Sequence, residues 1–143
     1  MAKLLIKVGN NRFIAQLEEE KAPLTCAAFK QLLPFKSRLV HARWSGESMW
    51  IPLGDFTLGV SYENHTSYPS KGQILFHPGG ISETEILLPY GSCIFASKVG
   101  LLAGNHFLTI GEGFDELEKL GRDVLWEGAR EIIFEAYAEG TNL

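Results

Sequence analysis

The stretch LLIKVGNNRFIAQL, residues 4–17, places two apolar segments on either side of a short polar turn. Glycine and asparagine both tolerate positive φ, so Gly9-Asn10-Asn11 favours a hairpin between strands 4–8 and 12–17. The rest of the chain continues in short strand-like segments separated mostly by turn residues. These segments are 37–44, 48–53, 56–60, 73–77, 85–89, 93–100, 106–110 and 130–137.

Two short helices interrupt the strands. Pro23 suits the first turn of a helix over 22–33, because a missing N–H costs nothing there, and Pro34 stops it. A second helix is expected over 114–121, ending at Gly121. Many short strands with two short helices predict a mainly β protein: one closed barrel with two short capping helices, in a single domain spanning 1–143.

Composition and charge narrow the choice of partners. The formal net charge of −4 argues against nucleic acid and anionic membranes, because neither polyanion gains from an acidic surface. The first residues contain a short apolar run without a cleavage site for a signal peptide, and no run of about 18 uncharged apolar residues follows. We therefore expect a cytoplasmic protein with no nucleic-acid or membrane partner.

Two segments resemble the cyclophilins, the β-barrel peptidyl-prolyl isomerases. KAPLTCAAFKQLL, residues 21–33, is similar to their helix built on Ala-Pro-x-Thr-x-x-x-Phe-x-x-Leu. LLAGNHFLTIGEGFDELEKLG, residues 101–121, is similar to their Gly-x-His strand and the last helix. The chain looks most like the uncharacterised bacterial cyclophilin-like proteins of the DUF3830 type. That resemblance implies a cyclophilin-like closed barrel that lacks the isomerase residues.

The isomerase centre of the cyclophilins matches only in part. The residues that match are His41, Arg43, Gly46 and Gly54-Asp55-Phe56. The family's glutamine is missing, with Trp50 or Pro52 in its place. An acidic loop, HPGGISETE (77–85), stands where the family has an apolar stretch that forms the proline pocket. An active prolyl isomerase is therefore not expected, although weak activity stays an alternative.

Charged residues in two segments form the candidate site. His41 and Arg43 are two apart on a predicted strand and share a face, as do Glu83 and Glu85 on another. In a cleft between 41–50 and 77–85, a guanidinium could hold a carboxylate and a glutamate could hold an ammonium. A desolvated glutamate could also have a raised pKa and act as a general base. The candidate ligand-binding residues are His41, Arg43, Trp44, Glu47, Trp50, His77, Gly79, Gly80, Ser82, Glu83 and Glu85.

The loop at 78–83 is expected to form one wall of this pocket. Glycines at 79 and 80 would permit positive φ and let backbone N–H groups and Ser82 approach a ligand. Ile86 and Leu88 would anchor the following strand in the core. In the alternative interpretation, the same charged groups form ordinary ion pairs at strand edges, facing solvent.

A metal site receives little support. His41, His77 and Glu83 have the composition of a two-histidine, one-carboxylate set. Lone histidines near turns, however, are usually hydrogen-bonded surface groups. We expect no metal and no cofactor.

Three classes of function follow. The first is a small-molecule site, for binding or for turnover, that takes a small polar or charged compound in the cleft. The second is a non-catalytic interaction module that assembles into a homo-oligomer or with an enzyme partner. The third is a weak prolyl isomerase. The acidic loop favours the first class over the third, because a proline pocket needs apolar walls.

Overall fold

The computed structural model describes residues 2–138, which fold into a barrel of antiparallel strands. The strands are β1 Lys3–Val8, β2 Asn11–Leu17, β3 Phe35–His41, β4 Gly46–Gly54, β5 His65–Thr66, β6 Gln73–His77, β7 Thr84–Cys93, β8 Ala96–Ser97, β9 Gly100–Leu101, β10 Gly104–Ile110 and β11 Arg130–Tyr137. The helices are α1 Pro23–Lys30 and α2 Leu117–Glu127, the latter preceded by a 3₁₀ turn at Phe114–Glu116.

Eight strands close the barrel in the order β2-β1-β11-β3-β4-β7-β6-β10, and β10 pairs back with β2. Closure matters because it leaves no strand edge available for pairing with another chain. The small strand β5 adds to β10, and β8 and β9 form a separate hairpin. The predicted mainly β fold, a closed barrel with two helices, is confirmed.

α1 packs one face onto the barrel core. The ring of Phe29 meets those of Phe107 and Phe134 edge-on, with ring centroids 5.1 and 5.2 Å apart. The Glu63 carboxylate fixes the start of the helix by accepting hydrogen bonds from the Thr25 backbone N–H (2.6 Å) and hydroxyl (2.7 Å). α1 ends at Lys30, before the predicted residue 33, because the chain tightens there: the N–H of Leu32 donates to the Phe29 carbonyl three residues back.

α2 corrects the predicted end of the second helix. Gly121 lies inside α2, which continues to Glu127 and ends before Gly128. A Cβ at residue 121 would overlap the ring of Tyr90 on β7. The glycine is therefore present because it allows the helix to approach the barrel closely. No helix within residues 2–138 has the length and apolarity needed to cross a membrane.

Three predicted strands differ from the structure. Residues 56–60 form no strand: Leu58 and Val60 pack against the core without a neighbouring strand to pair with. β3 ends at His41, so residues 42–44 belong to a turn. The segment 93–100 is no single strand either. It ends β7, turns Phe95 onto the outside of the barrel, and forms the β8–β9 hairpin.

We expect Gly121→Ala to lower the free energy of unfolding by about 1–3 kcal/mol, because the new methyl group would force the Tyr90 ring or the helix to move. Alanine in place of glycine would normally stabilise a helix interior by roughly 0.5–1 kcal/mol. A decrease in the free energy of unfolding would therefore indicate the close contact with Tyr90. Urea denaturation measures the change. Gly111→Ala is the matched control, because its Cβ would have ordinary contacts. A Gly121→Ala protein as stable as the natural chain would contradict the close approach.

Candidate functional site

A cleft of about 410 Å³ lies on the outside of the barrel. Ile86 and Leu88 of β7 belong to the interior core, so the alternate residues Glu85 and Leu87 face outward. The lining residues come from the β3–β4 turn, the 78–83 loop, the outer face of β4 and β7, and the β8–β9 hairpin. They are Val40, His41, Ala42, Arg43, Trp44, Ser45, Trp50, Ser82, Glu83, Glu85, Ala96, Ser97 and Lys98.

Residues 93–102 form an outer layer that makes this surface concave. Phe95 and Leu102 bury themselves against Leu75 and Leu87 on the outside of the barrel. Ser45 ties the layer to the β3–β4 turn, because its hydroxyl donates to the Ala96 carbonyl (2.9 Å) and accepts from the Ala96 N–H (3.0 Å). Both sides of the cleft are thus held at a fixed separation.

The cleft gathers most of the candidate residues derived from the sequence. Those that line it are His41, Arg43, Trp44, Trp50, Ser82, Glu83 and Glu85, whereas Glu47, His77, Gly79 and Gly80 lie outside its lining. Ser45 and Lys98 line the cleft but were not candidates. The signal for Lys98 was the turn-like Ser97-Lys98-Val99-Gly100, which the strand prediction over 93–100 concealed.

Glu85 is the most unusual residue of the cleft. It is only 6% exposed, and within residues 2–138 its side chain forms no hydrogen bond or salt bridge. Burial, followed by the nearby charge of Glu83, raises the pKa of Glu85 from 4.5 to about 8. At neutral pH the carboxyl group of Glu85 is therefore mostly protonated.

The charges at the mouth of the cleft remain unpaired with Glu85. Arg43, Glu83 and Lys98 are exposed lining residues. In the described part of the chain, no salt bridge within 4.0 Å joins Arg43 to Glu83 or Glu85. The cleft therefore has cationic groups at its rim and a buried carboxyl group at its floor. Arg43 at the rim forms no ion pair with the glutamates of the cleft within residues 2–138.

His41 is held in place on the cleft wall. Its Nδ1 lies 2.8 Å from the Ala42 carbonyl, which can only accept, so this nitrogen has the proton. Its Nε2 then accepts from the Tyr90 hydroxyl at 2.7 Å. With both nitrogens engaged, His41 is a poor metal ligand. No group of three potential metal ligands occurs among residues 2–138.

Glu47, Gly79 and Gly80 lie outside the cleft lining and have structural roles instead. Glu47 accepts from the Ser92 N–H at 2.9 Å and lies 3.7 Å from the Arg122 guanidinium. Gly79 and Gly80 do have positive φ, 91° and 99°, as the turn requires. The wall of the cleft, however, consists of Ser82 and Glu83 from the same loop.

His77 is buried, which corrects the expectation of a surface histidine. It is 0% exposed, and its Nδ1 lies 2.7 Å from the Ala103 carbonyl in the outer layer. Its Nε2 is buried and has no hydrogen-bond partner among residues 2–138. The ring is covered by Phe95, which stands edge-on at a centroid distance of 5.9 Å.

A larger concavity, about 540 Å³, lies over β1, β2 and β10. Its central polar groups already satisfy one another: Thr109 donates to Glu18 at 2.7 Å and lies 2.7 Å from Nε2 of His106. Because a ligand would have to replace these bonds, we regard the smaller cleft, with its unpaired carboxyl group, as the better candidate site.

Comparison with known proteins places the chain in a family. Residues 4–136 match the family described as "Protein of unknown function (DUF3830)". The chain belongs to this family. A search of the curated proteins found no significant match.

Solved structures share the barrel of this DUF3830 protein. One is described as McbB in complex with tryptophan: its TM-score is 0.69 at 20% identity, and the match covers 98% of this chain and 46% of that one. The chain thus spans about half the length of McbB. The other is the solution structure of the hypothetical protein AF2241 from Archaeoglobus fulgidus, with a TM-score of 0.64, 19% identity and 95% coverage of both chains. At these identities the likeness shows the fold alone.

The raised pKa of Glu85 predicts a pH dependence of stability. Between pH 4.5 and about 8 the folded protein retains a proton that the unfolded chain has released. The free energy of unfolding should therefore fall as pH rises through this interval, by up to about 1.4 kcal/mol per pH unit. Below the interval both states are protonated, and above it both are ionised, so the slope vanishes.

Glu85→Gln should remove this slope, so its stability relative to the natural chain should increase with pH. Urea denaturation at several pH values measures the difference, and Glu20→Gln, at an exposed position, is the control. Equal pH slopes for the natural chain and Glu85→Gln would contradict the assignment.

Proposed function

We propose that this DUF3830 protein binds a small zwitterion in the cleft. Its cationic end would reach Glu85 at the floor, and its anionic end would face the rim. One observation supports this proposal above the others: Glu85 is almost fully buried, has no partner in the described part of the chain, and lines an open cleft. A buried carboxyl group with no partner destabilises the fold, so its presence there is best explained by a ligand that satisfies it.

The protonation state of Glu85 determines which ligand group can bind at the floor of the cleft. Since the pKa of Glu85 is raised to about 8, an arriving ammonium group must displace its proton. The affinity for a cationic group should therefore rise with pH until Glu85 is ionised. A neutral hydrogen-bond acceptor would show the opposite dependence, because it needs the protonated carboxyl group as a donor.

The rim supplies the opposite charge. Arg43 and Lys98 both line the cleft, one in the β3–β4 turn and the other in the β8–β9 hairpin. A guanidinium group can hold a carboxylate in bidentate fashion, while an ammonium adds a point charge. This arrangement favours a ligand whose two charges are separated by a few bonds.

Apolar side chains around the mouth favour a ligand with an apolar substituent. Trp44 lines the cleft and is 58% exposed, and Trp50 forms part of the wall. Ile81 and Val99, 67% and 60% exposed, neighbour lining residues in the two adjacent loops. Exposed apolar groups clustered at a concavity are typical of a ligand site. L-Tryptophan is therefore a rational first probe. A protein of the same fold, McbB, has been solved with tryptophan.

Turnover is an extension of this proposal. A carboxyl group with a pKa near the working pH is well suited to accept a proton from a bound compound. The function we propose is binding. In a turnover reaction, Glu85 is the residue that would act as the general base towards the bound compound. The glutamine of the isomerase centre is absent here, with Trp50 or Pro52 in its place, so prolyl isomerase activity is not part of the proposal.

Isothermal titration with L-tryptophan tests the binding function. We expect binding to the natural chain that strengthens as pH rises towards about 8, and that weakens about tenfold or more in Glu85→Gln, because a charge-assisted hydrogen bond is lost. Glu20→Gln is the control, since Glu20 is an exposed carboxylate outside the lining. The proposal fails if the natural chain shows no binding, or if Glu85→Gln binds equally well.

An interaction module remains a second candidate, because α2 exposes large apolar side chains. Trp126 is 81% exposed and its neighbour Leu125 is 45% exposed. A tryptophan so exposed on a helix is more typical of an interface than of a free surface. We propose that, in this case, the chain self-associates through α2 as a homo-oligomer.

Sedimentation velocity tests this second candidate. A dimer or larger assembly of the natural chain that becomes a monomer in Trp126→Ser would support it. Trp44→Ser, at the mouth of the cleft, is the matched control. A natural chain that sediments as a monomer at high micromolar concentration would exclude self-association through this helix.

A further inference from the structure

We infer that Nε2 of His77 and the carboxylate of Glu85 together accept hydrogen bonds from one primary ammonium group. The site would thereby select unsubstituted amino compounds over their N-alkylated forms. This inference rests on the proposed function and adds to it the class of cationic group that the cleft accepts. It also assigns a specificity role to a histidine outside the visible lining of the cleft.

The tautomer of His77 follows from its one hydrogen bond. Nδ1 lies 2.7 Å from the Ala103 carbonyl, and a carbonyl only accepts, so Nδ1 has the proton. In the neutral ring Nε2 then offers a lone pair and needs a donor. No donor is present among residues 2–138, although the residue is completely buried.

His77 differs in this respect from the other histidines with assigned ring bonds. His41 has partners on both nitrogens, and Nε2 of His106 is bonded to Thr109. Leaving a buried acceptor without a donor destabilises the folded state. Among residues 2–138, Nε2 of His77 is the buried ring nitrogen that is left unpaired, which indicates that the donor comes from outside the chain.

The sheet places this acceptor beside Glu85. His77 and Glu85 are direct partners in the antiparallel pairing of β6 and β7, so their side chains share one face and lie next to each other. Both are buried, and neither bonds to the other. The floor of the cleft thus has a largely buried carboxyl group without a partner among residues 2–138, next to a fully buried ring nitrogen that needs a donor.

A primary ammonium group fits both requirements. It provides the positive charge that an ionised Glu85 needs, and its three N–H donors can reach two acceptors and leave one for a third contact. A dimethylated ammonium has one N–H and can satisfy only one of the two acceptors.

The test compares L-tryptophan with Nα,Nα-dimethyl-L-tryptophan by isothermal titration. The natural chain should bind the dimethyl compound about tenfold or more weakly, since one buried hydrogen bond is lost. In His77→Asn the two compounds should bind with similar affinity. Asparagine retains an N–H that can donate to the Ala103 carbonyl but places no acceptor at the position of Nε2. His65→Asn, at an exposed histidine, is the matched control and should keep the tenfold difference.

A second measurement uses the natural chain alone, in case His77→Asn does not fold. With nitrogen-15-labelled histidine, the Nε2 resonance of His77 should shift when L-tryptophan is added, while Nδ1 stays protonated. The inference is overturned if this resonance does not move, or if the tenfold difference persists in His77→Asn and is therefore steric. If L-tryptophan binds through Glu85 but the His77 resonance or the His77→Asn comparison gives the contrary result, only the role of His77 is refuted. If L-tryptophan does not bind the natural chain, both proposals fall.

Discussion

The alternation of side chains along β7 is the constraint on which the candidate site depends. Ile86 and Leu88 face the barrel interior, so Glu85 and Leu87 must face outward. An outward carboxyl group would normally be solvated. Here residues 93–102 form an outer layer over Leu75 and Leu87 on this face of the barrel, and Glu85, on the same side of β7 as Leu87, is only 6% exposed. The same alternation that builds the core therefore produces the unusual electrostatics of the cleft.

Burial of Glu85 and His77 opposes folding, and the rest of the molecule offsets it. A carboxyl group that must stay protonated and a ring nitrogen without a donor each remove stability that an apolar pair would retain. The closed barrel and its aromatic core, with Phe29, Phe107 and Phe134 in edge-on contact, supply the compensating burial. Unsatisfied polar groups on a rigid scaffold are typical of functional sites, because a ligand can satisfy them without reorganising the protein.

α2 is connected to the cleft through a short chain of contacts. Gly121 lets the helix rest on the Tyr90 ring, and the Tyr90 hydroxyl donates to His41 in the wall of the cleft. Arg122 on the same helix lies near Glu47, which accepts from the backbone of Ser92 at the end of β7. The helix therefore stabilises the geometry of the β3–β4 turn. Substitutions on α2 could alter the cleft without touching a ligand.

The sequence by itself determined the mainly β barrel and its two helices, because strand alternation and the Pro23 and Pro34 signals are local and periodic. It also identified Arg43, Glu83 and Glu85 as charged groups in the right segments. Tertiary structure alone decided that Glu85, on β7, is buried while Glu83, in the preceding loop, is exposed. It likewise decided that Gly121 contacts Tyr90 and that Nε2 of His77 has no donor within residues 2–138. Burial and hydrogen-bond partners depend on residues distant in the chain, which local sequence patterns do not encode.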